Sequence, residues 1–413
     1  MVQINPFAAL RPRADLVSQV ASVPYDVINT AEATALAEGN AHSFLHVVRP
    51  DIDLPAGTDH YADEVYAKAK QNFEAMIADG VLIRERQPAI YLYLLSTELL
   101  GQRVEQSGVV CCCHIDDYAA DRIKKHENTR PAKEDDRTRH VLTLKANAGP
   151  VFLLFKDDPN IRALTEDVWR DVQPTYDFEA DDGVRHTIWK APDPAPWVEA
   201  FGRHEAVYVA DGHHRTASAA RAGAELRAAN PKHTGQEEYN WFQTVLFPAS
   251  ELTILPYHRV VADLQGMDST AFLESAAKLG ELIKTDTPIP ESTGAFGIYV
   301  DGGWYRLTLA PESIDHADPI GSLDYVLLSE RLLGPILGIE DIRTNNRVDF
   351  VGGIRGPTEL ERRVDSGDMA VAFALHATTI EQLIRVADAG RIMPPKSTWF
   401  EPKLRSGLLV HTI

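Results

Sequence analysis

The chain has 413 residues with 44% hydrophobic and 24% charged side chains, ordinary globular values that exclude wholesale disorder and favour two or three domains. Its net charge of −19, from 60 acids against 41 bases, argues against a nucleic-acid partner, because a phosphate backbone is bound through a basic face.

No apolar run reaches the roughly 20 residues of a membrane span. The opening Met1-Val2-Gln3-Ile4-Asn5-Pro6-Phe7 lacks the basic-then-apolar order of a signal peptide. A cytoplasmic protein with no membrane partner is expected. Short apolar runs lead to Pro24-Tyr25-Asp26-Val27-Ile28 and a helix over about 30–38. An amphipathic helix is expected over about 61–79, closed by Gly80, followed by strands over 89–96 and 108–115. Cys111, Cys112 and Cys113 are adjacent in the second of these strands, a geometry unsuited to an ordinary disulfide, and read as small buried side chains. A strand over 150–156, a helix over 160–173 and a proline-rich surface loop over 189–196 come next.

A short apolar strand over 206–210 then runs into Asp211-Gly212, and a helix takes over through about 224. A second domain is expected from about 251 to Ile413, after a first over 1–250. Its elements are a strand over 252–261, a helix over 269–283 and a hairpin around Asp301-Gly302-Gly303. A strand over 369–375 follows, then a helix capped by Thr378 with Glu381 and ending near Gly390. Strands alternating with helices imply an α/β fold of mixed α+β layers in both parts.

Three segments carry the chemistry. In Asp211-Gly212-His213-His214-Arg215 the glycine permits a tight turn, and the helix start presents unpaired N–H groups at the positive end of the dipole. Arg215 adds a planar donor fork, and Asp211 could orient a histidine or hold a phosphate-bound metal. A structural turn and a phosphate site both fit this pattern. The second segment lies in a positive island, 122–145, with eight bases against four acids. Here Lys124-Lys125-His126-Glu127-Asn128-Thr129, Lys133 and Arg137 mix phosphate-neutralising bases with carboxylates able to take a proton, as phosphoryl transfer requires. A charged surface helix fits equally. The third, Met393-Pro394-Pro395-Lys396-Ser397-Thr398, lies in a second island, 391–405, with four bases against one acid. Its consecutive donors could form an oxyanion nest, or simply dock the terminus. No zinc spacing and no Gly-x-Ser-x-Gly elbow occurs.

Together the blocks Pro24-Tyr25-Asp26-Val27-Ile28, His126-Glu127-x-Thr129, Asp211-Gly212-His213-His214-Arg215 and Met393 to Thr398 resemble a prokaryotic family of unknown function often labelled ParB-like. That family looks distantly similar to the ParB/sulfiredoxin fold, which includes free serine kinases. The resemblance implies a ParB/sulfiredoxin-like domain followed by a smaller α/β domain. It also implies that Asp211, Gly212, His213, His214 and Arg215, with Lys396, Ser397 and Thr398, hold a nucleotide (ATP or ADP, with Mg²⁺). Sulfiredoxin chemistry is disfavoured because His213 stands where a reactive cysteine would, and chromosome partition because no DNA-reading helix pair is seen. The implied activity is phosphoryl transfer to a small hydroxyl compound such as free L-serine. Glu127 or Asp26 would act as base, with His126, Lys133 and Arg137 beside the transferring group. The alternatives are a nucleotide-binding switch or scaffold without turnover, its second domain used for partners or self-association, and a metal-dependent hydrolase.

Overall fold

In a computed structural model of the chain, residues 1–342 and 344–413 are described. Two compact units divide it: Met1–Leu252 with Pro402–Ile413, and Thr253–Glu401. The tail, assigned from sequence to the second domain, therefore returns to the first unit. It does so because Leu404, Leu408, Leu409 and Val410 bury there, and His411–Thr412 pairs antiparallel with Ala146–Asn147.

The strands of the first unit's main sheet are β1 (Ile4–Asn5), β2 (Tyr91–Leu99), β3 (Gln102–His114), β4 (Ile123–Lys124), β5 (Val151–Phe155), β6 (Tyr176–Glu179), β7 (Arg185–Lys190), β8 (Val207–Asp211) and β9 (Trp241–Pro248). Among the described residues they form one sheet in the order β4-β8-β5-β9-β3-β2-β7-β6, with β1 on β3. The sheet is mixed: β8 runs parallel to β4 and antiparallel to β5, while β5 and β9 are parallel. Its helices include α1 (Thr30–Ala37), α2 (Asp63–Ala78), α3 (Pro131–Leu144), α4 (Pro159–Asp171) and α5 (His213–Ala229). Asn29 and Glu32 close a reciprocal capping box on α1.

Central position explains why β3 is apolar on both faces. Cys111 and Cys113 point to one side, their sulfurs 3.8 and 3.3 Å from Thr244 Oγ1. All three thiols are free and buried, and burial pushes those of Cys111 and Cys112 up, so they remain protonated. The stretch 189–196 is not one surface loop. Trp189 and Lys190 finish β7 because Trp189 is buried, and Ala195 opens a short helix to Phe201 after a four-residue bend.

The second unit is built on an antiparallel six-stranded sheet. With β10 (Thr253–Leu255), β11 (Tyr257–Val261), β12 (Gly280–Lys284), β13 (Ala295–Val300), β14 (Gly303–Leu309), β15 (Val348–Gly352), β16 (Val371–Leu375) and β17 (Trp399–Glu401), its order is β12-β14-β13-β16-β11-β15. The expected strand over 252–261 is two, because Pro256 interrupts it and sends β10 to β17 instead. The expected helix over 269–283 ends as Ser269–Ala276 (α6) plus one 3₁₀ turn, and its last residues are the edge strand β12. Gly280 is the reason: a Cβ there would lie 2.0 Å from the Thr308 carbonyl, so glycine allows β12 to lie against β14. The hairpin turn has Asp301 at φ 50° and Gly302 at φ 70°, the left-handed pair of a type I′ turn. The capping box lies one residue later than read, at Thr379 and Gln382 of α8 (Ile380–Asp388), since the Thr378 hydroxyl donates to the Ser397 carbonyl. Between them α7 (Gly356–Asp365) packs Leu360 onto Val260 and Ala372.

Candidate anion-binding site

The site forms where β8 gives way to α5. Gly212 adopts φ 91°, and a Cβ there would lie 3.1 Å from Arg215 Cζ, so the turn needs glycine on both counts. No side chain caps α5, and its first internal bond runs from Thr216 N–H to the Gly212 carbonyl. The helix start therefore keeps its dipole end open. Small buried residues seat this helix closely: a Cβ at Gly223 would fall 2.3 Å from the Tyr239 carbonyl.

Arg215 lies behind the turn with its side chain only 9% exposed. Nη1 donates to the Pro150 carbonyl, while Nη2 stands 3.8 Å from Asp26 and 3.7 Å from Asp211. Lys403, brought back by the tail, places Nζ 3.1 Å from Asp211. Burial pushes the Asp211 carboxyl up, but the charges of Lys403 and Arg215 outweigh it and hold the group well below the usual carboxylate range. Burial likewise opposes the Arg215 charge, and Asp26 and Asp211 more than restore it.

Two histidine rings, His126 and His213, meet edge to face at 4.5 Å. Both are buried and neutral near pH 7. Burial drives His126 down to about 4, and burial with the adjacent His126 drives His213 well below its ordinary value. His213 Nε2 is buried without a hydrogen-bond partner. The Arg130 N–H donates to His214 Nε2 at 3.0 Å, so the proton of the neutral His214 ring sits on Nδ1.

Most of the site residues read from sequence come together here. Pairing of Ile123 with Val207 and of Lys124 with Tyr208 sets the His126-Glu127 segment beside the Asp211 turn. The helix α3, carrying Lys133 and Arg137, packs on α5 through Ser218, whose hydroxyl donates to the Glu134 carbonyl, and through Arg221, which pairs with Asp135 at 2.6 Å. Arg137 stacks over the Tyr25 ring at 4.2 Å and pairs with Asp136 at 2.9 Å. Lys133 is exposed, its Nζ 6.0 Å above the Tyr61 ring, and Glu127 is half-buried. Asp26 stands at the guanidinium of Arg215, its side chain 35% exposed. Lys396, Ser397 and Thr398 lie in the second unit. There Lys396 is left-handed at φ 62°, its carbonyl accepts from Arg259 Nη2, and Ser397 Oγ donates to the Pro394 carbonyl. Lys403 was not singled out from sequence as a partner of Asp211; the basic island 391–405 was the available signal.

The arrangement can hold an oxyanion. Open helix N–H groups, the Arg215 fork and Lys403 supply positive potential, while Asp26 and Asp211 supply carboxylates. Among the described residues, no group of three or more His, Cys, Asp or Glu could hold a metal. A phosphate-bound Mg²⁺ needs only one or two carboxylates, which Asp26 and Asp211 fit.

Fold and site together define a mixed α+β protein with an arginine-backed helix N-terminus. The chain belongs to the family described as Protein of unknown function (DUF1015), which matches residues 4–326. The ParB-like label suggested by the sequence blocks has no support in the comparisons. No curated protein matches the chain. Several solved structures resemble it weakly, three of them as follows. A conserved hypothetical protein from Pyrococcus furiosus is 13% identical, covering 74% of this chain and 95% of that one, with a TM-score of 0.34. A free serine kinase mutant in complex with AMP is 12% identical, covering 73% and 91%, with a TM-score of 0.35. A C-terminally truncated SbnI from Staphylococcus aureus is 12% identical, covering 73% and 87%, with a TM-score of 0.38. At such scores these likenesses carry no functional argument. Among the described residues, no helix is long and apolar enough to cross a membrane.

Proposed function

We propose that the first unit binds nucleotide phosphates at the N-terminus of α5 and transfers a phosphoryl group to a small hydroxyl compound, free L-serine being the first acceptor to test. One observation carries this: a single buried guanidinium, Arg215, stands behind an uncapped helix start with Asp26 at 3.8 Å and Asp211 at 3.7 Å. Phosphoryl transfer needs that mixture, because positioning and charge neutralisation supply most of its catalysis.

In this reading Gly212 lets a phosphate approach the backbone of His213 and His214, and Arg215 and Lys403 balance its charge. Lys133 and Arg137 face the transferring group, with the neutral His126 ring packed behind His213. Asp26 or Glu127 takes the proton of the attacking hydroxyl. ATP or ADP is the expected donor, and Mg²⁺, held with Asp26 and Asp211, would draw charge from the phosphates. A nucleotide and a small metabolite as partners fit a cytoplasmic protein.

The test is phosphoryl transfer from ATP and from ADP to L-serine and other small alcohols. Asp26→Asn should lower kcat by about 10²–10⁴-fold, the usual worth of a general base, with nucleotide affinity changed less than about threefold. Glu127→Gln should leave kcat nearly unchanged if Asp26 is the base, and the two results exchange if Glu127 is. Equal rates in wild type and both variants remove the assigned base. Nucleotide binding without transfer to any acceptor returns the site to a switch.

A further inference from the structure

The first unit has a partly open pocket beside Arg215, with an inner cavity of about 40 Å³. Its polar wall comes from Arg137 and His140 on α3, Asn147, Arg215 on α5, Gln243 on β9 and Ser406 of the returning tail. A volume of that size holds about two or three waters, far too little for a nucleotide but suited to the polar head of a small molecule.

The hydrogen-bonding inventory of the wall is incomplete in a specific way. Arg215 Nε is a buried donor with no partner, and Gln243 Oε1 is a buried acceptor with none. Gln243 is fixed in place, because its Nε2 donates to the Leu409 carbonyl at 2.7 Å. His140 Nε2 lies 3.0 Å from the Val47 carbonyl, which can only accept, so that nitrogen carries the proton and Nδ1 keeps its lone pair. The cavity thus offers cationic donors from Arg215 and Arg137 and lone-pair acceptors from Gln243 and His140. Buried groups left unmatched in this manner call for a water, an ion or a ligand. Asp136 already pairs with Arg137, and Asp26 and Asp211 stand at Arg215 Nη2. The donor left open is therefore Arg215 Nε, which suits an acceptor oxygen of the ligand, while Gln243 Oε1 suits a donor on the same molecule.

We propose that this cavity seats the head of a small hydroxy- or amino-carboxylic acid, its carboxylate on the open Nε of Arg215 and its hydroxyl or ammonium donor on Gln243. The assignment rests on the phosphotransferase reading in taking this acid as the acceptor, and it adds Gln243 and His140 to the residues that recognise it.

Three probes separate the chemistry: glycerate carries carboxylate and hydroxyls, acetate only the carboxylate, and glycerol only hydroxyls. Each is added to the full chain at millimolar concentration, and the shift in Tm is read, with pyrophosphate as a separate probe of the α5 N-terminus. Glycerate should raise Tm clearly, acetate less and glycerol not at all. Gln243→Met, which keeps the length and removes the acceptor, should weaken glycerate at least tenfold. Ala148→Leu, which fills the cavity without touching a polar group, should abolish its effect, and both variants should keep the pyrophosphate shift. Glycerate acting no better than glycerol, no probe acting at all, or undiminished glycerate binding in either folded variant overturns the proposal. A glycerate response without any pyrophosphate response keeps the cavity assignment and instead removes the nucleotide site.

Discussion

Arg215→Ala should lower the Tm of the chain by roughly 4–16 °C, from a loss of about 2–4 kcal/mol at 2–4 °C per kcal/mol for a unit of this size. The side chain is 9% exposed and donates to the Pro150 carbonyl, so its removal leaves that acceptor unmatched and opens a void beside the cavity. It also strips one of two cations from Asp211. Severing a fully buried ion pair costs about 3–5 kcal/mol, but Asp211 and Asp26 keep 28% and 35% of their side-chain surface, and solvent screening reduces that share. Arg215→Lys should recover only part of the loss, because one ammonium cannot serve Pro150 and both carboxylates at once. Calorimetry on the three proteins checks this. An unchanged Tm in Arg215→Ala would mean that the network is loosely held surface charge.

Acid should unfold the first unit well above the carboxylate range. Burial, aided by Arg137, drives His140 down to about 3, and burial with Arg405 drives His186 to about 3. Burial takes His126 to about 4 and His213 lower than its ordinary value. The folded values lie below the unfolded value of about 6.5, so the unfolded chain binds more protons below that pH. The stability these neutral rings confer is complete above about pH 6.5 and declines as pH falls from there through about 4 for His126 and about 3 for His140 and His186. At pH 5 each such ring costs on the order of 2 kcal/mol, and several together rival the 5–15 kcal/mol of a typical domain. His186 shows the structural cause. Arg405 Nε donates to its Nε2 at 3.3 Å, so a second proton there would face a guanidinium. Melting curves at pH 7.5 and 5.0 should differ widely, and His186→Gln should narrow the gap. Equal Tm values at the two pH values would contradict neutral burial of these rings.

Local order was legible in the sequence. Gly212 after an apolar strand marked the turn into α5, and Asp301-Gly302 marked a hairpin, because left-handed backbone restricts residue choice. Periodicity located α2 and α4 to within a few residues. It failed at 280–284, where a run that continues a helical pattern pairs instead with β14, a partner no local pattern announces. The site divides the same way. Clustered bases and carboxylates flagged His126, Lys133 and Arg137, the strand–glycine–helix pattern flagged Arg215, and Asp26 came only from the family resemblance, whereas the pairing of Lys403 with Asp211 spans 192 positions and depends on the returning tail. Gln243 and His140 carried no signal at all, since one sits in an apolar strand and the other on the inner face of α3.

The most direct measurement is the thermal stabilisation of the full chain by pyrophosphate, ADP and ATP with Mg²⁺, in wild type and Arg215→Ala. A ligand bound only by the folded form adds about 2.7 kcal/mol at a hundred times Kd. A phosphate site at the α5 N-terminus predicts a rise of roughly 5–10 °C for wild type under those conditions, and a far smaller rise above its own lowered baseline for Arg215→Ala. No rise in wild type with any of the three, or equal rises in both proteins, would contradict it and leave the Gly212 turn a structural one.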